Sequence, residues 1–468
     1  MELTERAFPV RMRRVAVVAL AGRVREVLVA LAESGVVELS GPMGSGEGAA
    51  LEALRRVESR RPSGKRAPPA LARKAPDVER LERSDERELL AGEVELERRR
   101  TSAVLHSGFA VFVGWVPKPA LAQLAAHLEE CGASLVELRR PRGQQPPTLL
   151  APAPAAEPFR PLVTTYGAVP YRDVDPTPFV AVTYCLMFGM MFGDVGDGLL
   201  IVLAALALRR ARDPRLAPLR RVWSLIAASG AASVVFGVLY GELFGPTKLL
   251  PTLWLAPLDQ ATRLLTFAIA AGGCLLALSY LIAIVNRWRE GGPALALTAG
   301  TGAPGFLLLA GSGLAAIGIL AHVGPLVIAG LVLAAVAMVP LTVGLRAQAG
   351  GGATGVLEVV IGLFDALLRL VSNVFSFARL AAFGLMHAAI GQVVLHAAGS
   401  LAGTPVGDIA AALTFLVGWA VAFALEGLVV AVQALRLEYY ELFSRLFAGE
   451  GRPFTPFSLP LLSTEEAR

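Results

Sequence analysis

The feature that most constrains this chain is where its charges are missing. Of its 81 acidic and basic side chains, 46 fall in the first 160 residues, which leaves 35 for the other 308. A water-soluble surface needs charge over its whole extent, so the C-terminal two-thirds cannot be one. From Phe179 onward apolar runs dominate, at lengths near the ~20 helical residues that a bilayer core requires. The whole-chain figures agree, with 17% charged residues against ~25% in ordinary soluble domains. Mean hydropathy is +0.58. The expected architecture is a polytopic all-α membrane domain carrying a small N-terminal α/β lobe.

About eight membrane segments are expected, near 178–192, 196–209, 222–245, 262–285, 304–322, 325–343, 356–398 and 409–447. The first two are short and separated only by GDVGDG, so they read as a broken pair. The last two are too long for a perpendicular span and imply tilt, a kink or projection beyond the bilayer. An even number returns both termini to one side. Arg209, Arg210, Arg212, Arg215, Arg220, Arg221, Arg287, Arg289 and Arg346 lie in connections on that side, against Lys248 and Arg263 opposite. The positive-inside rule then places both termini in the cytoplasm, with the chain integral to the cell membrane.

Residues 1–140 read as the polar lobe. A β-rich run (Arg14 to Leu20), a helix-like stretch (Arg23 to Glu33) and a second run (Val36 to Ser40) are echoed by FAVFVGWV, PALAQLAAHLEECG and SLVELRR. Two such strand–helix–strand units suggest helices packed on one sheet. Between them, at about 50–103, lies a charge-dense insertion, LEALRRVESR and VERLERSDERELLAGEVELERRR. It reads either as an antiparallel helical hairpin or as a solvated, disordered stretch. Residues 141–177 form a Pro-rich linker, 178–450 the membrane domain and 451–468 a cytoplasmic tail. The opening MELTERAFPVRMRRVAVVAL lacks a small-residue cleavage pattern and reads as the start of a folded domain.

Several function classes drop out. Cys131, Cys185 and Cys274 are too widely spaced for a disulfide framework or a cysteine zinc site. The formal charge of +5 is carried mostly by Arg, and in a membrane chain such an excess reports topology, so no nucleic-acid partner is expected. There is no G-x-x-x-x-G-K-[ST] loop; SGKR at 63–66 lacks the first glycine and the Ser/Thr. No H-E-x-x-H, EF-hand loop or G-x-S-x-G elbow occurs. The chain is expected to hydrolyse nothing itself and to need no metal or cofactor.

The residues that carry chemistry sit in the two longest segments. A charge inside a membrane helix costs roughly 2.5–3.5 kcal/mol on insertion scales, so it persists only where something uses it. In 356–398, Asp365, Arg369, Ser372, Ser376 and Arg379 follow at spacings of 4, 3, 4 and 3, one face of a helix. His387 lies about two turns further on. In 409–447, Glu426, Gln433, Arg436 and Tyr440 follow at 7, 3 and 4, again one face. Arg436 is open to two readings, because Arg445 and a polar tail follow and a guanidinium near a helix end can snorkel to headgroups. Arg379 has apolar sequence on both sides. A guanidinium is permanently charged, so it cannot relay a proton, but it can hold a carboxylate ionised or block direct ion leakage. Glu426 and His387 can exchange protons. A lone histidine on such a face either does so or only makes a hydrogen bond. Asp194, Asp197, Glu242 and Glu358 are further acids within the membrane region, and each either lines an aqueous vestibule or meets headgroups.

With these residues in view, the chain resembles the a/I subunit, the membrane stator, of V/A-type rotary ATPases. VRMRRVAVVAL and VREVLVALAESGVVEL look like that family's first strand and helix, and FVGWVPKPALAQL its second unit. PPTLL, PYRDVDPTPF, MFGDVGDG and YGELFG resemble consecutive family blocks. NVFSFARLAAFGLMHA and EGLVVAVQALRLEYYELFSRLFAGEGRPFTPF are similar to its two arginine-bearing segments. The resemblance implies that Arg379 and Arg436 face a ring of proteolipid c subunits. It also implies that Glu426, His387 and Gln433 serve proton half-channels, with Asp365, Ser372, Ser376, Glu242, Asp194, Asp197 and Glu358 as lining candidates. ATP chemistry would belong to other subunits, and peripheral-stalk subunits would be partners. Asp197 stands where the family often has histidine. Residues 1–140 supply about one lobe and a short insertion, where the family has two lobes joined by a long coiled coil. The rival readings are a non-transporting membrane scaffold and a stand-alone secondary transporter, the latter without any inverted repeat in its favour.

Overall fold

The computed structural model describes residues 8–41, 48–60, 67–141, 143–247, 249–447 and 451–462. Lys248 and the SGKR stretch lie outside them. The chain forms two compact units, one of Pro9–Ala151 with Gly451–Arg468, the other of Met1–Phe8 with Pro152–Glu450.

The first unit is built on strand β1 (Met12–Leu20). It pairs along its whole length, antiparallel, with β5 (Phe109–Pro117), from Met12 opposite Pro117 to Leu20 opposite Phe109. β6 (Ser134–Leu138) flanks β1 on its other edge, while β2 (Glu38–Ser40) and β4 (Val104–His106) share the far edge of β5. Alternation sorts the faces. Val15, Val17 and Ala19 with Ala110, Phe112 and Val116 pack under helices α1 (Val24–Ser34) and α5 (Leu121–Glu130), through Val27, Leu28, Leu31, Leu124 and Leu128. The charge-dense insertion is helical. Its α2 (Ala49–Arg60), α3 (Val78–Ser84) and α4 (Arg87–Arg100) enclose a second core of Ala53, Val57, Leu81, Leu89 and Leu90. Its charges lie outward, where Glu82 pairs with Arg56 and Arg60.

The stretch from Gly451, read from sequence as a tail, belongs to this unit. β7 (Leu461–Leu462) runs parallel beside β3 (Leu71–Ala72). Phe457 enters the main core and donates its backbone N–H to the Val37 carbonyl at 2.8 Å. Glu38, itself buried, accepts from the Thr455 N–H at 2.9 Å and pairs with Arg452.

The second unit is helical. Its main helices are α6 (Thr177–Met191), α7 (Val195–Arg210), α8 (Trp223–Tyr240), α9 (Ala261–Thr298), α10 (Ala303–Leu320), α11 (Gly324–Gln348), α12 (Gly352–Ser376), α13 (Ala378–Leu401) and α14 (Pro405–Leu437). Among the described residues five helices are long and apolar enough to cross a membrane: α8, α9, α10, α11 and the run from Pro405 to Leu446. That is fewer than the eight or so expected. α6 and α7 have 15 and 16 residues, short of the ~20 a bilayer core needs. The long segment 356–398, expected to tilt, kink or project, is two helices that meet at Phe377, whose fully buried ring lies on Gly272 of α9. The final run continues α14 through one wide π turn, Glu438–Phe443, and ends at Leu446. Small residues bring helix backbones together, as at Gly311 on Ala334 and Gly330 on Ala315, in the manner of membrane helix packing.

α9 is kinked. Gly292 takes φ 75°, ψ −167°, and Pro293 follows without a donor N–H. Just before the kink, Asn286 is buried and ties three segments together. Its Oδ1 accepts from Val174 N at 3.0 Å and its Nδ2 donates to the Leu446 carbonyl at 3.2 Å. Arg287 pairs with Glu290 at 2.8 Å, and Asp173 is buried beside them.

Candidate functional site

The site begins with the GDVGDG break between α6 and α7. Asp194 caps α7: its Oδ1 accepts from the Asp197 N–H at 3.0 Å. The same oxygen accepts from Phe244 N at 2.9 Å, and Oδ2 accepts from Gly245 N at 2.7 Å. One fully buried carboxylate therefore joins the helix start to the YGELFG turn that follows α8. The Val195 N–H donates to the Glu242 carbonyl at 3.1 Å and closes the junction. Gly237 of α8 makes the approach possible, since a Cβ there would collide with the Asp194–Val195 backbone.

His387 of α13 enters this junction from the other side. Its Nδ1 is hydrogen-bonded to Glu426 Oε2 of α14 at 2.6 Å. Its Nε2 lies 3.9 Å from Asp194 Oδ2 and 4.0 Å from Asp197 Oδ2. Asp197 is held by the Trp419 indole, whose Nε1–H donates to Oδ1 at 2.8 Å. Glu242 completes the set, with one oxygen within 4.8 Å of the ligand atoms of both Asp194 and His387. Four carboxylates thus surround one imidazole, all five side chains buried. A cavity of about 20 Å³, room for about one water, is lined by Asp197, His387, Glu426, Phe244, Trp419 and Phe423 among others. The Phe192 ring stands 4.8 Å from the imidazole.

Arg379 and Arg436 share helices with this pair but lie away from it. Arg379 precedes His387 by eight residues on α13, about 12 Å of helix. Arg436 follows Glu426 by ten on α14. Arg436 and the buried Glu441 are the charges that act on Arg379. Arg379 is half-buried, with Nη1 lacking a hydrogen-bond partner among the described residues, and Arg436 is exposed. Gln433 sits one turn before Arg436, its Oε1 buried and likewise without a partner.

The remaining candidates are elsewhere. Asp365 pairs with Arg369 at 2.7 Å on the open face of α12, and both line a separate cavity with Gln348, Thr298 and Arg445. Glu358 is exposed and accepts from Gly350 N at 3.1 Å; Ser372 is exposed and Ser376 half-buried. None of these four joins the His387 cluster. Sequence reasoning passed over two participants. Trp419 orients Asp197, and Glu438 in the π turn is fully buried and accepts from Thr183 Oγ1 at 2.8 Å. Glu438 stands between Arg436 and Glu441 at the polar end of its helix, where one more acid carries little signal.

Residues 103–263 match the V-type ATPase 116kDa subunit family. The "A-type ATP synthase subunit I" of Archaeoglobus fulgidus is 28% identical over 400 residues, covering 74% of this chain and 58% of that protein. The protein of the same name from Aeropyrum pernix is 30% identical over 355 residues, 65% of this chain and 50% of its own length. The chain is thus similar to this family over residues 103–263 and to these subunit I proteins over most of its length. A "V-type ATP synthase subunit I 2" from Treponema pallidum is 35% identical over 150 residues, 30% of this chain and 33% of that one. The chain spans about half the length of the curated relatives it matches. Similarity to subunit I proteins and the five long apolar helices among the described residues indicate an integral membrane protein.

Proposed function

We propose that the chain is the membrane stator of a V/A-type rotary ATPase, and that it passes protons to and from a ring of carboxylate-bearing proteolipid subunits. The reading rests on one observation. The His387–Glu426 pair is buried among three further carboxylates, and the two helices that hold it carry Arg379 and Arg436 beyond it. A ring carboxylate must give up its proton to one aqueous half-channel and regain one from another. A fixed guanidinium between the two stabilises the charged intermediate and keeps the channels apart. His387, Glu426, Asp197 and Glu242 supply protonatable groups beside a small cavity with room for about one water, the elements of one half-channel. Gln433 and Arg436 follow Glu426 at helical spacings of 7 and 3 on α14. The exposed apolar faces of α12 and α14, among them Phe364, Leu368, Leu416 and Leu425, fit lipid or the ring. Both termini are cytoplasmic in this reading, and the α/β unit meets stalk subunits.

Gentle purification from native membranes should therefore retain a proteolipid ring with nucleotide-binding and stalk subunits. In the reconstituted complex Arg379→Ala should reduce ATP-driven acidification to background while the subunits stay together. Normal acidification in that variant would turn the reading toward a membrane scaffold.

A further inference from the structure

We infer that the junction of α7, α13 and the YGELFG turn is a binding site for a transition-type divalent cation, Zn²⁺ being the representative probe. The ligands are His387 Nε2 and carboxylate oxygens of Asp194, Glu242 and Asp197. Sequence motifs could not show it, because the four come from three separate segments and no local spacing joins them.

The argument starts from an atom with nothing to do. His387 is 6% exposed, and its Nε2 has no hydrogen-bond partner among the described residues. It points between Asp194 Oδ2 and Asp197 Oδ2, at 3.9 and 4.0 Å. These separations are too long for hydrogen bonds. They exceed by about half an ångström the spacing of two ligands on one tetrahedral ion, since Zn–N and Zn–O bonds of about 2.0–2.2 Å place neighbouring ligands about 3.3–3.5 Å apart. One oxygen each of Asp194 and Glu242 and one nitrogen of His387 lie within 4.8 Å of one another. Closing that set needs movements of about 1 Å or less, within the reach of side-chain torsions.

The surroundings are already those of a ligand set. A metal-bound imidazole usually directs its other nitrogen to a carboxylate, which fixes the ring. His387 Nδ1 meets Glu426 Oε2 at 2.6 Å, which leaves Nε2 as the ligand atom. Asp197 is oriented by the Trp419 N–H and Asp194 by backbone N–H groups, each with lone pairs to spare. Imidazole together with carboxylates selects Zn²⁺ and its neighbours over Mg²⁺ and Ca²⁺, which favour all-oxygen sets. Charge agrees as well, since a dication offsets carboxylates that otherwise face one another away from water.

The test uses the full chain in lipid nanodiscs, stripped with chelator and titrated with Zn²⁺, bound metal being counted by elemental analysis. One zinc per chain is expected, with an X-ray absorption shell of N and O at about 2.0–2.1 Å and a single imidazole. His387→Gln and Glu242→Gln should each weaken binding by at least about tenfold, while His396→Ala, an exposed histidine on the same helix, should change nothing. No stoichiometric zinc on the wild-type chain overturns the inference without any variant. Zinc that survives His387→Gln, or disappears with His396→Ala, overturns it too, as adventitious surface binding. Arg379→Ala should keep its zinc, so the site and the translocation reading can fail separately. Inhibition of acidification by zinc in the intact complex is also expected, and that arm alone rests on the proposed function.

Discussion

A carboxylate at the foot of an apolar helix is usually read for its charge, but Asp194 is used first for its lone pairs. Three backbone N–H groups, from Asp197, Phe244 and Gly245, end on it, and no water reaches it. Removing the acceptor strands three buried donors. Losing a helix cap costs about 0.5–2 kcal/mol, and each further unsatisfied donor about 1–3. Asp194→Ala should therefore destabilise the helical unit by about 3–6 kcal/mol, and Asp194→Asn by about half as much, because the amide keeps one oxygen for Asp197 and Phe244. Thermal unfolding in nanodiscs, followed by Trp fluorescence, reads this directly. An alanine variant within about 1 kcal/mol of wild type would mean that the junction does not depend on Asp194. The contrast with Glu358 is instructive. It is also an acid in the membrane-side sequence, but it is exposed, accepts from one N–H and should tolerate alanine far better.

Between elements, the decisive quantity is how closely two backbones can approach. α8 reaches the GDVGDG break only because residue 237 has no side chain. A methyl group there meets backbone atoms that cannot rotate away. Gly237→Ala should separate α8 from α7, cost about 1–3 kcal/mol and loosen the His387 cluster with it. Crosslinking of cysteines placed on α8 and α7, or hydrogen exchange of residues 194–198, would register the separation; unchanged protection would refute it. The same logic shows what was legible. Helical spacing put Glu426 on a polar face, and His387 stood out only as a titratable residue in an apolar run, partly off the seam of its own segment, because a polar residue shows itself one segment at a time. Which faces meet is a matter of packing, and periodicity is silent on it. Thus Asp194, Asp197 and Glu242 read as separate acids, and nothing in the sequence marks Trp419 as their partner. Where the long segment 356–398 breaks was equally a matter of packing. Its hydrophobicity does not lapse at Phe377, where α12 gives way to α13 and the ring packs on Gly272.

Across the whole molecule, charge distribution alone separated a polar α/β unit from a helical membrane unit. It could not show that the segment from Gly451 returns to the first unit, because a two-residue strand such as β7 carries no signal until β3, almost the length of the chain away, lies beside it. Nor could it show the buried polar knot where the membrane unit begins. There, burial pushes Asp173 up to about 8, and the adjacent Glu290 carboxyl pushes the same way against Arg287 and Arg289. The sign of the consequence follows from linkage. The unfolded chain would release this proton near the usual carboxylate value, whereas the folded chain keeps it until about pH 8. Between roughly pH 4 and 8 the folded state therefore binds more protons. Its contribution to stability is complete below that window and is lost as pH rises through it. The slope from one such proton is at most about 1.4 kcal/mol per pH unit. Asp173→Asn, neutral throughout, should remove that slope and leave the variant more stable than wild type at pH 8, with little difference near pH 4. Thermal unfolding of both proteins at a series of pH values in the same nanodiscs decides the matter. Parallel curves would show that Asp173 is already ionised in the folded protein, held by Arg287 and Arg289 and not protonated beside Glu290.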